Sequence, residues 1–400
     1  PSIALLGPAF VAAIAYVDPG NVAANLTAGA KYGYLLVWVL ALANVMAVMI
    51  QYQSAKLGVV TGRTLPETLG GRLRPWPRRA FWLQAELVAG ATDIAEVIGG
   101  AIALNLLFGL PLPLGGVIVG VVSMALLATA NVRRQRQFET VIIGLLAVIV
   151  IGFLCGLLVN PPDAGGLLNG MVPRLEGTET VLLAASMLGA TVMPHAIYLH
   201  SSLVVDRHGR SGDENRVRRL LKITRVDVVI ALLIAGTVNI ALLVLAAVSL
   251  SGREGTDTIE GAHAAVSDAL GPVVAAAFAI GLLASGIAST SVGAYAGGAI
   301  MAGLLDKRIP MMARRSITLV PAVVILAAGV EPTLALVISQ VVLSFGIPFA
   351  LLPLRRYTSD RTLMGKFVDG APLRWGSAAS AVAIVVLNVA LLVLLATGTG

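Results

Sequence analysis

The chain has 400 residues, of which 57% are hydrophobic and only 12% charged, with a formal net charge of +7. A water-soluble domain of this length carries about a quarter charged residues, and runs such as 140–160 and 377–397 exceed the ~18 uncharged residues of a spanning helix, so bilayer lipid is part of the solvent. The positive charge sits in short connections between apolar runs, which excludes nucleic acid and points to anionic lipid head groups.

Eleven apolar spans are predicted, at roughly 3–31, 33–58, 81–108, 113–130, 140–160, 180–205, 226–250, 270–305, 316–330, 332–354 and 376–398, against a need of ~20 residues each. The chain starts at Pro1 without a methionine, which implies a trimmed N-terminus. Its first apolar run leads straight into polar residues and does not read as a cleavable signal peptide. That first span is interrupted at Asp18-Pro19-Gly20-Asn21. Pro19 removes a backbone donor and clashes with the preceding turn, and Gly20 loosens what remains. A carboxylate and freed carbonyls cannot face lipid, so they face protein or a watery cavity.

The third span carries Glu86, Asp93 and Glu96 within an arc of about 80° on one helical face. Asp93 and Glu96 are i, i+3 neighbours able to share a proton. Three carboxylates in a membrane helix read as a proton relay, although Glu86, nearest the inner end, suits a partner for cytoplasmic arginines equally well. The fifth span holds Cys155, the only cysteine, which cannot form an intrachain disulfide and reads as a small buried hydrophobe.

The sixth span is interrupted in turn at Ala190-Thr191-Val192-Met193-Pro194-His195. One proline in a membrane helix is often a kink and nothing more. Two breaks, each flanked by metal-ligand residue types, read as a pair. His195 can pass protons between such a site and solvent, but as a ligand it is the weaker candidate, two residues beyond Met193. His200 can hydrogen-bond within the bundle. Arg314 and Arg315 open the ninth span, where topology anchoring alone explains arginines but pairing with the relay's inner end is also open.

All 28 Lys and Arg except Lys31, Arg174 and Arg253 fall in the five even-numbered connections, from Lys56 and Arg63 through Arg133, Arg134 and Arg136 to Lys307, Arg308 and Arg355. By the positive-inside rule those connections are cytoplasmic, with the N-terminus inside and the C-terminus outside. Asp18 aligns with Met193 when Ala15–Pro19 is set against Ala190–Pro194. An odd number of helices per repeat inverts the second, the plan of transporters that hold substrate at the midplane between two discontinuous helices. The expected organisation is one all-α polytopic transport domain, with inverted repeats over 1–160 and 180–355 and an additional helix over 372–400.

The breaks offer a carboxylate (Asp18), an amide oxygen (Asn21), a thioether (Met193) and the carbonyls of Ala15 and Ala190. One negative charge among neutral oxygens suits a divalent cation. The sulfur disfavours calcium and magnesium, which prefer all-oxygen shells, and favours first-row metals or cadmium. Methionine as simple packing is the competing explanation.

DPGN in the first span together with GATVMPHAIYLHS in the sixth resembles the Nramp family of divalent metal transporters, in its bacterial MntH-type branch, and the resemblance in organisation spans essentially the whole chain. It implies a LeuT-type fold in the inner membrane and proton-coupled import of Mn2+ or Fe2+, with Cd2+ and Co2+ as further cargo. It implies metal binding by Asp18, Asn21 and Met193 with the Ala15 and Ala190 carbonyls, Gln340 approaching the metal in some states, and a proton pathway through Asp18, Asp93 and Glu96. The expected partners are divalent metal ions, protons and lipid. No cofactor, nucleotide or oligomer is required.

An amino-acid or sodium-coupled symporter on the same fold is the nearest rival, but Asp18 in the first break would repel a substrate carboxylate. A metalloenzyme is disfavoured because there is no H-E-x-x-H and His195 and His200 lie about 140° apart around the helix. No G-x-x-x-x-G-K-[ST] motif supports ATP drive, and two breaks favour alternating access over an open pore.

Overall fold

The computed structural model describes residues 7–128, 135–210, 212–253, 255–306 and 310–397, with no β-strand among them. Arg133, Arg134, Lys307 and Arg308 of the expected cytoplasmic charges lie outside the described residues. The first span consists of two helices, α1 (Pro8–Ile14) and α2 (Pro19–Tyr32), joined by the 3-10 turn Ala15–Val17. There follow α3 (Val37–Thr61), α4 (Leu65–Gly70), α5 (Pro75–Phe108), α6 (Leu112–Ala128), α7 (Gln135–Val159) and α8 (Ala164–Gly170). The sixth span is again two helices, α9 (Gly177–Thr191) and α10 (Pro194–His208). The rest comprises α11 (Glu214–Ser249), α12 (Ile259–Leu270), α13 (Pro272–Leu305), α14 (Met311–Ala327), α15 (Pro332–Thr358), α16 (Arg361–Met364) and α17 (Ala371–Thr397). Among the described residues 8 segments are long and apolar enough to cross a membrane, α9 and α10 counting as one, and Pro8–Val17 and Leu112–Leu126 are shorter apolar helices.

Two helices overrun their apolar spans. α5 starts at Pro75 and α11 at Glu214, because Arg, Lys, Glu and Leu propagate a helix well beyond the point where lipid ends. Hydropathy marks only the greasy part. The connections are partly helical too. In α4 the Thr64 hydroxyl accepts from Glu67 N–H at 3.1 Å while the Glu67 carboxylate accepts from Thr64 N–H at 2.9 Å. This reciprocal cap starts a helix too short for any span criterion.

The two broken spans occupy the middle of the bundle. α13 packs along α5 and α7, α15 along α9 and α5, and α11 along α2 and α3. Small residues allow the closest approaches, as membrane helices require where lipid gives no hydrophobic drive to associate. A methyl on Gly286 of α13 would lie 2.9 Å from Gly100 Cα in α5. Outside, α17 exposes Val382, Val386, Leu392 and Leu395, apolar surface that only lipid can cover.

Two sequence expectations are corrected. Cys155 is half-buried, not fully buried, and its thiol donates to the Gly152 carbonyl at 3.2 Å. It shares a face of α7 with exposed Ile151 and Leu158, so its spacing sets it on the outer side of the bundle. Lys56, counted among charges facing lipid head groups, is buried and pairs with buried Asp369 at 2.7 Å. Gln53 donates to the same carboxylate at 2.6 Å, which fastens α3 to the segment before α17.

Candidate functional site

The breaks form for a local reason. In an unbroken helix residue 19 would donate to the carbonyl of residue 15, and residue 194 to that of residue 190. Pro19 and Pro194 have no N–H, and their rings clash with those carbonyls. Each proline instead occupies the first position of a new helix, where a missing donor costs nothing. Asp18 is the residue before α2, in extended conformation, and its carboxylate Oδ1 accepts from Asn21 N–H at 2.9 Å, the standard arrangement of an acidic N-cap. Met193 stands at the same position before α10, with no side-chain cap.

The two breaks are tied together by one amide. Asn21 Nδ2 donates to Asp18 Oδ1 at 2.9 Å and to the Ala190 carbonyl at 2.9 Å. From α15, Gln340 Nε2 donates to Asp18 Oδ2 at 3.3 Å. The structure therefore brings together Asp18, Asn21, Ala190 and Gln340, drawn from three elements far apart in sequence. Ala15 opens the 3-10 turn and Met193 lies three residues beyond Ala190, both buried. The side chains of Asp18, Asn21, Met193 and Gln340 are fully buried.

Two oxygens of the residues that meet here, Asn21 Oδ1 and Gln340 Oε1, are buried without a hydrogen-bond partner. Unpaired buried oxygens are costly and uncommon. With one carboxylate they form a donor set chemically suited to a cation. Among the described residues no three His, Cys, Asp or Glu side chains converge on a common point. A single charge among neutral oxygens binds an ion without trapping it, the condition for passage.

Sequence reasoning missed the groups that absorb the rest of the unwound turn. Asn239 of α11 donates to the Tyr16 carbonyl at 2.7 Å, and Ser285 of α13 donates to the Val17 carbonyl at 2.5 Å. An asparagine inside the apolar run ALLIAGTVNIALLVL was the available signal. Gln51 donates to the Tyr16 hydroxyl at 2.5 Å and its Oε1 lies 2.8 Å from His200 Nδ1, so His200 does hydrogen-bond within the bundle.

A second cluster flanks the first. Arg314 Nε pairs with Glu86 Oε1 at 2.9 Å, and Arg315 contacts Asp93 Oδ1 at 3.3 Å, with Arg314 3.8 Å from Asp93 Oδ2. Both arginines are buried, Arg315 being only 1% exposed, which replaces the topology-anchor explanation. Two guanidinium groups held off water require the carboxylates of α5. Glycines of α13 make the room. A methyl at Gly297 would overlap the Arg314 guanidinium, and one at Gly293 would crowd the Glu96 carboxylate at 3.1 Å and Asp93 Oδ1 at 3.4 Å. His195 Nδ1 lies 3.4 Å from Thr92 Oγ1, one residue from Asp93. The predicted relay residues thus gather along α5 between α10, α13 and α14.

Polar contacts pin the broken helices at both ends. Asp227 accepts from Gly7 N–H at 3.2 Å and Ala9 N–H at 3.1 Å, fixing the start of α1. Lys31 and Tyr32, at the end of α2, each bond Glu179 of α9 at 2.7 Å.

Paired broken helices around a buried polar centre, in a multi-pass helical membrane protein, define the LeuT-type transporter fold. The sequence matches the Nramp family, described as natural resistance-associated macrophage protein-like, over residues 9–394, and the chain belongs to that family. The divalent metal cation transporter MntH of Mycobacterium tuberculosis is 58% identical over 394 residues, covering 98% of this chain and 92% of that protein. The Bacillus subtilis protein of the same name is 46% identical, over 97% of this chain and 91% of its own length. Among solved structures, the Eremococcus coleocola manganese transporter in complex with an aromatic bis-isothiourea substituted compound superposes with a TM-score of 0.87. It is 28% identical and covers 97% of this chain and 85% of that one. MhsT in complex with L-phenylalanine shares the fold at a TM-score of 0.61 and 14% identity.

Proposed function

We propose that this protein imports divalent transition metals, Mn2+ and Fe2+ foremost and Cd2+ and Co2+ as further cargo, by proton-coupled alternating access across the inner membrane. The observation that carries this reading is the meeting of Asp18, Asn21, Gln340 and the Ala190 carbonyl, with no solvent-exposed surface, where two helices stop. Asp18 supplies the one charge, and Asn21 and Gln340 supply amide oxygens. Ala15 and Ala190 supply carbonyls at the negative ends of half-helices. Met193 supplies the soft donor that disfavours calcium.

Coupling follows from the chemistry of the carboxylate. A metal ion takes a deprotonated ligand, so its binding releases a proton from Asp18. His195, Thr92, Asp93, Glu96, Arg315, Arg314 and Glu86 provide a polar route along α5 away from the site. In alternating access, the contacts that pin the start of α1 and the end of α2 are the ones that break and re-form as the two sides open in turn. In this reading the chain is two inverted five-helix repeats, 1–160 and 180–355, plus a helix over 372–400, with the N-terminus cytoplasmic and the C-terminus outside.

Purified protein in proteoliposomes tests the whole scheme. Manganese should enter and compete with ferrous iron and cadmium but not with calcium or with amino acids, and a lumenal pH dye should report proton entry with the metal. Uptake of an amino acid in place of the metal would reject it.

A further inference from the structure

α15 approaches both breaks through two glycines. A methyl at Gly20, in the first turn of α2, would overlap the Gln340 side chain, its amide nitrogen first. A methyl at Gly189 of α9 would overlap the Gln340 backbone carbonyl and lie 2.8 Å from Ser344 N. Neither glycine has the positive φ that favours glycine. Within a helix alanine is the more stabilising residue, so conformation does not explain either one. Space does.

We propose that Gly20 is a positioning residue for metal binding: its missing side chain is the slot through which the Gln340 amide reaches Asp18. Gly189 has the different task of letting the backbones of α9 and α15 touch. The distinction lies in what each methyl would meet. At Gly20 it meets the movable end of a side chain, so Gly20→Ala turns the amide away from Asp18 while the helices stay in place. At Gly189 it meets backbone, which has nowhere to go. The Gln340 amide, held at 3.3 Å from Asp18 Oδ2 with its Oε1 unpartnered, is thereby present at the site or absent from it according to one methyl group on α2.

The uptake readout rests on the metal-transport reading, whereas the stability readout does not. Gly20→Ala, Gln340→Ala, Gly189→Ala and the two double variants with Gln340→Ala are compared in manganese uptake and in Tm in detergent. Gly20→Ala should raise the half-saturating manganese concentration roughly tenfold, the scale of one hydrogen bond to a charged group. Gln340→Ala should do the same, and the double variant should be no worse than Gln340→Ala alone. Gly20→Ala should lower Tm only while Gln340 is present. Gly189→Ala should lower Tm in both backgrounds. Wild-type uptake from Gly20→Ala, effects that multiply in the double variant, or a Tm loss that persists without Gln340 would each overturn the proposal. If the wild-type protein takes up no manganese, the transport reading fails, and the Tm comparison still decides for or against the slot.

Discussion

Asn21 donates its side-chain amide to the Ala190 carbonyl across 2.9 Å, and this bond joins one broken helix to the other. The same nitrogen holds Asp18 Oδ1. Replacing Asn21 with alanine removes both bonds and leaves a buried carbonyl without its donor. The expected cost is about 1–3 kcal/mol of stability, seen as a lower Tm in detergent, with at least a tenfold loss of manganese affinity by calorimetry. An unchanged affinity would place the cargo elsewhere.

Asp18 serves as helix cap and as charge, and the two roles separate cleanly. Asparagine caps a helix about as well as aspartate, so Asp18→Asn should keep the start of α2 and a near-native Tm. It should still lose manganese uptake by roughly 100-fold or more, the order expected when a buried ionic partner worth about 3 kcal/mol is removed. Uptake close to wild type in a well-folded Asp18→Asn protein would refute the assignment of the ligand charge.

The two prolines and the carboxylate were legible because each breaks a local rule of membrane helices. Pro19 and Pro194 interrupt apolar runs, and Asp18 has no reason to be in lipid. The three carboxylates of α5 stood out for the same reason. What the sequence hid was partnership. Arg314 and Arg315 look like any arginines at the cytoplasmic start of a span, and only the packing of α14 against α5 buries them beside Glu86 and Asp93. Lys56 was misread likewise, since its partner Asp369 is over three hundred residues away. Asn239 and Ser285 escaped notice because a lone polar residue in a span has many possible carbonyls to satisfy, and sequence does not say which one has come free.

Met193 follows a different logic from its neighbours. It precedes α10 without capping it, and Pro194 alone sets the helix start, so alanine should preserve the backbone there. Met193→Ala should retain manganese uptake within a few-fold and admit calcium, because the remaining donors are all oxygen, the shell calcium prefers. Uptake of radioactive calcium into proteoliposomes measures this. Calcium exclusion as strict as in the wild type would assign selectivity to another group.

The ion pair of Arg315 with Asp93, 3.3 Å apart and only 1% exposed at each side chain, gives a test of whether proton movement can be uncoupled from metal binding. Asp93 makes no hydrogen bond to Asp18, Asn21 or Gln340, so Asp93→Asn should leave manganese affinity intact while a pH-sensitive dye shows the accompanying proton flux reduced or gone. Arg315→Ala should behave differently. It leaves Asp93 with the more distant Arg314, and an uncompensated buried charge costs about 3–5 kcal/mol, so Tm should fall sharply. Adding Asp93→Asn removes the stranded charge, and the double variant should regain stability, with a coupling of about 1 kcal/mol or more between the sites. Additive losses in Tm would mean the two side chains do not act as a pair, and normal proton flux in Asp93→Asn would take α5 out of the proton pathway.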